Sequence, residues 1–194
     1  MHYIPSFLCE LMTDEAKIVD TVLKGEVNAF EPLIAKYEKP IFNLMYRATG
    51  SYNEAIDLTQ ETFLRAYDKL YQFQRDRNFF SWLYALALNI GKDYLRYKKC
   101  KIPLICDNTE DLDINDDAGL EDFRLTEDYQ SLLQALGRIS TDYREAIVLH
   151  YREGRSMKEV AEILNLSLSG AKMRVSRGLE KLWIILGDKN YSPN

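Results

Sequence analysis

Residues 156–182 read SMKEVAEILNLSLSGAKMRVSRGLEKL, and this stretch predicts two short helices separated by a tight turn. Ser156 and Glu159 have the spacing of a capping box, in which two residues satisfy each other's backbone amides at a helix start. Apolar residues recur at helical spacing over the next two turns, and Asn165 is a residue type that readily takes the left-handed conformation at a helix end. Ser167 is placed to cap the second helix.

The second of these helices has two different faces. Its predicted inner face consists of Leu168, Ala171, Val175, Leu179 and Leu182. Its predicted outer face consists of Ser169, Lys172, Met173, Ser176 and Arg177, with Arg174 at the edge. A basic outer face on such a pair is typical of a helix-turn-helix, because cations suit phosphates and guanine edges. These residues alone leave open a plain helical hairpin with a solvated basic face.

Charge is distributed unevenly along the 194 residues, whose net charge is −5. The formal charge is −2 over 1–25, +3 over 26–101, −9 over 102–128 and +3 over 129–194. Two mildly basic bodies joined by an acidic segment indicate two domains and a solvated, self-repelling linker. We predict one domain over 13–101, the linker over 102–128 and a second domain over 129–190.

The cysteine and histidine content argues against a metal centre. The three cysteines, Cys9, Cys100 and Cys106, include no CxxC spacing, and the histidines are His2 and His150. This pattern favours a reduced, cytoplasmic protein without a zinc site. The first eleven residues lack a basic region typical of a signal peptide, so we interpret them as an extension upstream of an alternative start at Met12.

The apolar pattern of the N-terminal half is helical throughout. No segment sustains the alternation of a strand, so we predict an all-α fold. A helix is expected to start after Met12, Pro40 to begin another, Gly50 to end it, and Asn53 to cap the next, which runs to about Tyr71. In the second domain the predicted core includes Leu132, Leu133, Leu136, Ile147, Val148 and Tyr151, with a turn at Gly154; His150 is expected to pack or face solvent.

The helix after Asn53 has a predicted core face and a polar strip. The core face is predicted to hold Ile56, Phe63, Ala66, Tyr67 and Leu70. The polar strip consists of Asp57, Gln60, Glu61, Leu64 and Arg65. Such a strip is commonly just solvated, but Leu64 could also anchor a partner helix while the charges set its register.

Aromatic and basic residues alternate in the loop at 73–80 and in the helix that follows it. Ser81 is expected to cap that helix at Trp82, and its far end carries Lys92, Arg96, Lys98, Lys99 and Lys101. Rings that stack on bases beside cations that hold phosphates suit single-stranded nucleic acid. The alternative is that the rings belong to the core, which we expect for Trp82 and Leu83 but not for the 74–78 loop.

Three motifs follow one another along the chain: DLTQETFLRAY at 57–67, FFSWLYALALN at 79–89 with DYLR at 93–96, and the helix-turn-helix. Together they resemble the bacterial RNA polymerase sigma factors of the extracytoplasmic-function (ECF) type, which have only regions 2 and 4. The resemblance covers about residues 26–101 and 129–186. It implies two all-helical domains on a flexible tether.

The resemblance also implies a role for each motif. The polar strip would bind the clamp helices of the largest polymerase subunit through Asp57, Gln60, Glu61, Leu64 and Arg65. A flipped base of the −10 element would be captured by Gln74, Arg75, Asp76, Arg77, Asn78, Phe80, Ser81 and Asn89. The nearby −10 DNA would meet Lys92, Arg96, Lys98 and Lys99. The −35 element would be read by Ser167, Ser169, Lys172, Met173, Arg174 and Arg177.

The implied partners are core RNA polymerase, through its clamp helices and flap, promoter DNA, and an anti-sigma factor, which in this family is often linked to a membrane sensor. No cofactor, metal, small-molecule substrate or enzymatic activity is expected. The runner-up interpretation is a stand-alone helix-turn-helix regulator that never binds polymerase.

Overall fold

The computed structural model describes the backbone of residues 6–101 and 127–187, and the side chains of 15–98 and 131–187. These residues are helical with short turns, which confirms the all-α prediction for the described part of the chain. The chain divides into two compact units, Met1–Arg96 and Tyr97–Asn194. The predicted linker falls almost entirely outside the described residues.

Four helices form the first unit, and the last of them extends five residues beyond the boundary at Arg96. They are α1 (Ser6–Leu23), α2 (Glu31–Thr49), α3 (Tyr52–Asp68) and α4 (Phe79–Lys101), with 3₁₀ turns at Val27–Phe30 and Leu70–Gln72. The start predicted after Met12 is wrong, because α1 already begins at Ser6.

Helix α2 continues through Pro40, so the prediction of a new helix at this residue is wrong. A proline inside a helix removes one backbone donor and crowds the preceding turn, at a cost of about 3 kcal/mol. Burial on both sides of it offsets this cost, since Tyr37, Ile41 and Leu44 are all buried. Gly50 ends the helix with φ 67°, as predicted.

Helix α3 is capped by Ser51 and not by Asn53, whose cap prediction is wrong. The Ser51 hydroxyl accepts a hydrogen bond from the Glu54 amide at 3.5 Å. The serine stands two residues earlier, directly after the glycine that ends α2, so the two helices are joined by a very short turn.

The core face of α3 differs from the predicted one. Tyr67 is 37% exposed and Ile56 is half-buried, whereas Thr59 and Thr62 are buried. Both threonine hydroxyls donate to backbone carbonyls four residues earlier, at 2.7 Å each. These bonds remove the cost of burying a polar group, which the apolar pattern alone does not reveal.

Aromatic rings form much of the core of the first unit. The Tyr37 ring lies 5.8 Å from that of Phe79 and 5.6 Å from that of Phe80. The Tyr37 hydroxyl donates to the buried Glu15 carboxylate, which also accepts a bond from Lys36 Nζ at 2.6 Å. These contacts tie α1 and the start of α4 to the middle of α2.

The second unit contains four more helices. They are α5 (Glu127–Arg138), α6 (Thr141–Ile147), α7 (Met157–Ile163) and α8 (Leu168–Gly187), with a π-helical turn at Val148–Arg152. Its core centres on Ala135, Ile139, Ile147 and Leu182. Tyr151, predicted in this core, is 62% exposed. The extra residue of the π turn rotates the side chains that follow Val148, which explains the error.

The turn after α6 is as predicted, with Gly154 at φ 64°. His150 is half-buried, and its Nδ1 donates to the Arg155 carbonyl oxygen at 2.8 Å. The histidine therefore stabilises the turn that leads into α7.

Arg144 connects α6 to the end of α5. It is 6% exposed. Its guanidinium donates to the carbonyl oxygens of Leu136 and Gly137 at 2.7 Å each and of Ile139 at 3.1 Å. Carbonyl groups at a helix end lack partners within the helix, so one side chain satisfies three acceptors there.

Candidate polymerase and promoter interfaces

The predicted polymerase strip lies on the face of α3 that points away from the core. Asp57, Gln60, Leu64 and Arg65 are exposed and Glu61 is half-exposed. Leu64 is 67% exposed, which makes it the apolar centre of the strip. Arg65 and Glu61 form an ion pair at 2.5 Å, one helical turn apart. The structure thus brings the five predicted residues onto one surface.

A groove of about 640 Å³ lies beside Leu64, and it was not predicted from the sequence. Its walls come from the 3₁₀ turn at Val27–Phe30, α2 and α3, and its apolar lining consists of Val27, Phe30, Ile34, Phe63, Leu64 and Tyr67. The Phe30 and Tyr67 rings, both part of this lining, meet edge to face at 5.7 Å. Because the walls are far apart in sequence, no local motif could predict the groove.

The loop before α4 exposes the side chains of Gln74, Arg75, Asp76 and Arg77. Asn78 is half-buried, and its side-chain oxygen accepts a hydrogen bond from the Ser81 amide at 3.0 Å. Asn78 is therefore the cap of α4, and the prediction that Ser81 caps it is wrong.

Phe80 and Ser81, predicted to contact −10 DNA, lie inside the first unit. They are 1% and 2% exposed, so they offer no surface to a strand. Phe80 packs against Tyr37 and Tyr84 at ring distances of 5.6 and 5.2 Å. These two residues support the loop from beneath, and we leave them out of the DNA surface.

An aromatic cluster fixes both ends of the loop. The Phe73 ring contacts those of Phe79 and Trp82 at 5.3 and 5.5 Å. Trp82 is half-buried and Leu83 fully buried, in line with the core role expected for them. On the outer side, Arg75 Nε lies 2.5 Å from Asp20 Oδ1, which links the loop to α1.

Asn89, Lys92 and Arg96 follow one another along α4, and all three are exposed. Their spacing places them on one side of the helix, whereas Lys98 points nearly opposite to Asn89. Arg96 also pairs with Asp93 at 3.2 Å. Lys99 is part of α4, but its side chain lies outside the described residues. About 15 Å of helix separate Asn89 from Phe79, where the loop joins α4.

The helix-turn-helix has the local geometry that its sequence predicts. The Glu159 amide donates to Ser156 Oγ at 3.3 Å, and Glu159 Oε2 accepts from the Ser156 amide at 2.9 Å. Asn165 takes a φ of 52° between the helices. Ser167 Oγ then accepts from the Gly170 amide at 3.0 Å, which caps α8.

The outer face of α8 exposes Ser169, Lys172, Met173, Ser176 and Arg177, as predicted, and Ser167 is exposed at its start. Arg174 lies at the edge, half-buried, with its guanidinium 3.9 Å from the Asp142 carboxylate. Leu168, the first residue of α8, was expected in the core, but it is 48% exposed.

Gly178 sets how closely α8 approaches α6. A Cβ at this residue would lie 3.0 Å from Ile147 Cδ1 and 3.2 Å from Tyr143 Cβ. The glycine thus holds the inner face of α8 close to the body of the second unit, which leaves the outer face presented to solvent.

Two further findings concern the described residues only. None of their helices is both long and apolar enough to cross a membrane. Their His, Cys, Asp and Glu side chains form no group of three that could hold a metal ion.

Comparison with known proteins identifies two family regions in this chain. Residues 33–100 match the family described as Sigma-70 region 2, and residues 129–182 match Sigma-70, region 4. The ECF RNA polymerase sigma factor SigW of Bacillus subtilis is 34% identical over 175 residues, which cover 86% of this chain and 93% of SigW. The ECF sigma-E factor of Haemophilus influenzae is 27% identical over 183 residues, covering 90% of this chain and 96% of that protein.

Solved structures show the same fold. CnrH, solved with the cytosolic domain of CnrY, superposes with a TM-score of 0.69 at 24% identity, over 91% of this chain and 99% of that one. The sigma factor RpoE of Bartonella quintana, solved with the anti-sigma factor NepR, gives 0.65 at 21% identity, over 84% and 99%. The two matched regions and the identity to SigW over most of both chains show that this protein belongs to the ECF family of RNA polymerase sigma factors.

Proposed function

We propose that this protein is a dissociable initiation factor that binds core RNA polymerase and directs it to a defined set of promoters. The observation that carries the proposal is the presence of both sigma regions in one chain, at 33–100 and 129–182. A stand-alone helix-turn-helix regulator would need the second region only. That interpretation would not explain why α2, α3 and α4 match Sigma-70 region 2.

The polymerase dock in this proposal is the strip on α3. Leu64 supplies an exposed apolar anchor, and the flanking carboxylates and Arg65 supply charges that set the register of a partner helix. The groove beside Leu64 gives such a helix a concave apolar surface. We assign the clamp helices of the largest polymerase subunit to this site.

The −10 surface comprises the exposed loop and one side of α4. It consists of Gln74, Arg75, Asp76, Arg77, Asn78, Asn89, Lys92 and Arg96. Lys98, on the opposite side of α4, and Lys99 would add positive charge at the end of the helix. Because the loop junction and Asn89 stand about 15 Å apart along α4, they would hold different nucleotides of one strand. The separated strand would run along α4 and not into a single pocket.

The −35 surface is the outer face of α8. Ser167, Ser169, Lys172, Met173 and Arg177 face outwards, so they are placed to enter a major groove. Arg174 is half-buried beside Asp142, and we assign it to the DNA backbone. Its ion pair would hold the guanidinium at the edge of the groove, where phosphates lie.

The second unit also offers a surface for the polymerase flap. A cavity of about 300 Å³ is lined by Arg138, Ile139, Ser140, Tyr143, Lys181, Ile184 and Ile185. Ile184 is 70% exposed at its edge. A small apolar element of the flap fits this lining.

We place the polymerase and −10 domain within 13–101, the linker at 102–128 and the −35 domain within 129–190. The protein would act in the cytoplasm, where bacterial polymerase transcribes, and by binding steps alone. An anti-sigma factor would control it by covering these surfaces. The similar structure of RpoE was solved with the anti-sigma factor NepR, which supports this proposal.

Reconstitution with core polymerase tests the proposal. The purified chain should co-purify with core polymerase, and the pair should start transcripts on genomic DNA at sites that share a −35 and a −10 sequence. Duplex binding without any association with core polymerase would favour the stand-alone regulator instead.

A further inference from the structure

The outer face of α8 carries a methionine in the middle of an otherwise polar surface. Met173 is 50% exposed. Successive residues of a helix are turned by about 100°, so Met173 points nearly opposite to Ala171 and Val175, which are buried. Its neighbours one turn before and after are Ser169, Ser176 and Arg177, all exposed.

A single exposed methionine is ordinary on a protein surface, so its exposure alone indicates nothing. Its place is informative, because it stands in the second turn of the helix that a helix-turn-helix inserts into the major groove. Lys172 precedes it on the same exposed face. Met173 is therefore placed to face the base edges of a duplex that this helix would bind.

The chemistry of the major groove leaves one suitable contact for this side chain. A thioether has no N–H or O–H donor and is only a weak acceptor, so it cannot match the polar edges of guanine, cytosine or adenine. Thymine presents a C5 methyl group in this groove, which is an apolar surface. The unbranched methionine side chain adapts readily to such a surface.

On the basis of the proposed −35 function, we propose that Met173 contacts the C5 methyl group of one thymine in the −35 element. The contact makes promoter preference depend on that methyl group at one position. Ser169 and Lys172 supply the hydrogen bonds to neighbouring base edges. A methionine that lay only against deoxyribose would leave the methyl group without influence.

The test uses holoenzyme, formed from the full chain and core polymerase. A −35 site is first selected from promoter duplexes with a randomised −35 segment. Each thymine of the selected site is then replaced, one at a time, by deoxyuridine, which keeps the base pair and lacks the methyl group. We expect one replacement to weaken binding about fourfold, the effect of one buried carbon.

Three variants assign the effect to the side chain. Met173→Ala should bind the thymine and deoxyuridine duplexes equally at that position, and Met173→Leu should restore the difference. Tyr151→Ala, which removes another exposed side chain of the second unit that lies outside the proposed interfaces, should keep it. Since Met173 is exposed, all variants should melt at the temperature of the parent protein.

The possible results distinguish failure of the methyl contact from failure of the proposed −35 function. Selection of a −35 sequence whose every thymine tolerates deoxyuridine would overturn the methyl contact while the −35 function stands. If deoxyuridine weakened binding equally in Met173→Ala and in the parent, the contact would also be overturned, because another group would then contact the methyl group. If no −35 sequence is enriched, the proposed −35 function and the contact fail together.

Discussion

Leu64 is the one apolar residue of the polar strip on α3. It is 67% exposed and lies between the ion pair on α3 and the apolar groove. We expect Leu64→Asp combined with Glu61→Lys to weaken binding to core polymerase by about 2 kcal/mol or more. Both the apolar anchor and a charge that sets the register of the partner helix are then lost. Titration of labelled protein with core polymerase measures this loss.

Tyr52→Asp provides the matched control, since Tyr52 is 53% exposed on the same helix but three turns away. Circular dichroism should show the same helix content for both proteins. Unchanged core binding by the Leu64 and Glu61 double variant would show that the strip is only a solvated face.

Asn89 carries a second prediction at this scale. It is exposed on the side of α4 that also holds Lys92 and Arg96. An amide there can repay part of the few kcal/mol that extrusion of a base costs. We expect Asn89→Ala to slow open-complex formation on duplex promoters about tenfold, equivalent to ~1.4 kcal/mol. Permanganate reactivity of −10 thymines, followed in time, gives the rate.

A template with a pre-opened −10 bubble distinguishes melting from stability. On that template Asn89→Ala should approach the parent rate, and binding to core polymerase should not change. Equal defects on duplex and bubble, together with a lower melting temperature, would mean that Asn89 stabilises α4 and does not hold a base.

At the scale of elements, Arg144 joins two helices with one side chain. Its three bonds to the end of α5 are made in a buried position. We expect Arg144→Ala to lower the free energy of unfolding of the second unit by about 3 kcal/mol, because the carbonyls lose a charged donor and a void remains. The free energy of unfolding of Arg144→Lys should lie between those of the parent and of Arg144→Ala, since an ammonium group cannot reproduce the planar set of donors of a guanidinium.

The two tryptophans allow this measurement in the full chain, because Trp82 belongs to the first unit and Trp183 to the second. In a Trp82→Phe background, urea unfolding followed by fluorescence reports the second unit alone. Arg138→Ala, at an exposed residue of α5, is the control. If Arg144→Ala matched the control, the bonds to α5 would contribute nothing to stability.

Elements whose rules are local could be predicted from sequence. The capping box at Ser156, the left-handed Asn165 and the cap at Ser167 each depend on residues within a few positions, and all three are found. Pro40 could not be interpreted locally, because its cost is offset by the burial of the residues on both sides of it. Tyr151 was wrongly predicted in the core because the π turn changes the helical period on which that prediction depends.

The candidate sites divide in the same way. The strip on α3 and the outer face of α8 follow from helical period, so their exposed residues were predicted, whereas their roles remain proposals. Phe80 and Ser81 were misplaced because the start of α4 lies earlier than the sequence suggested. The groove beside Leu64 is made by three separate segments, and only their packing creates it.

In the whole molecule, the proposed −10 surface and the proposed −35 surface belong to two different units. Once one unit is bound, the other is held near its own DNA element, so the linker sets an effective concentration. The sequence between the units is strongly acidic, with a charge of −9 over 102–128. The acidic side chains could act only by keeping the linker extended, or they could contact a partner.

Exchange of the acidic residues separates these two roles. We expect replacement of residues 111–117 by a Gly/Ser tract of equal length to leave promoter opening nearly unchanged, because linkers of equal length give a similar reach. Deletion of 107–122 should instead reduce opening on promoters that need both elements, and spare −10 binding to a pre-opened strand. Run-off transcription compares the three proteins. Loss of transcription in the Gly/Ser variant, at normal core binding, would show that the acidic side chains act through a specific contact.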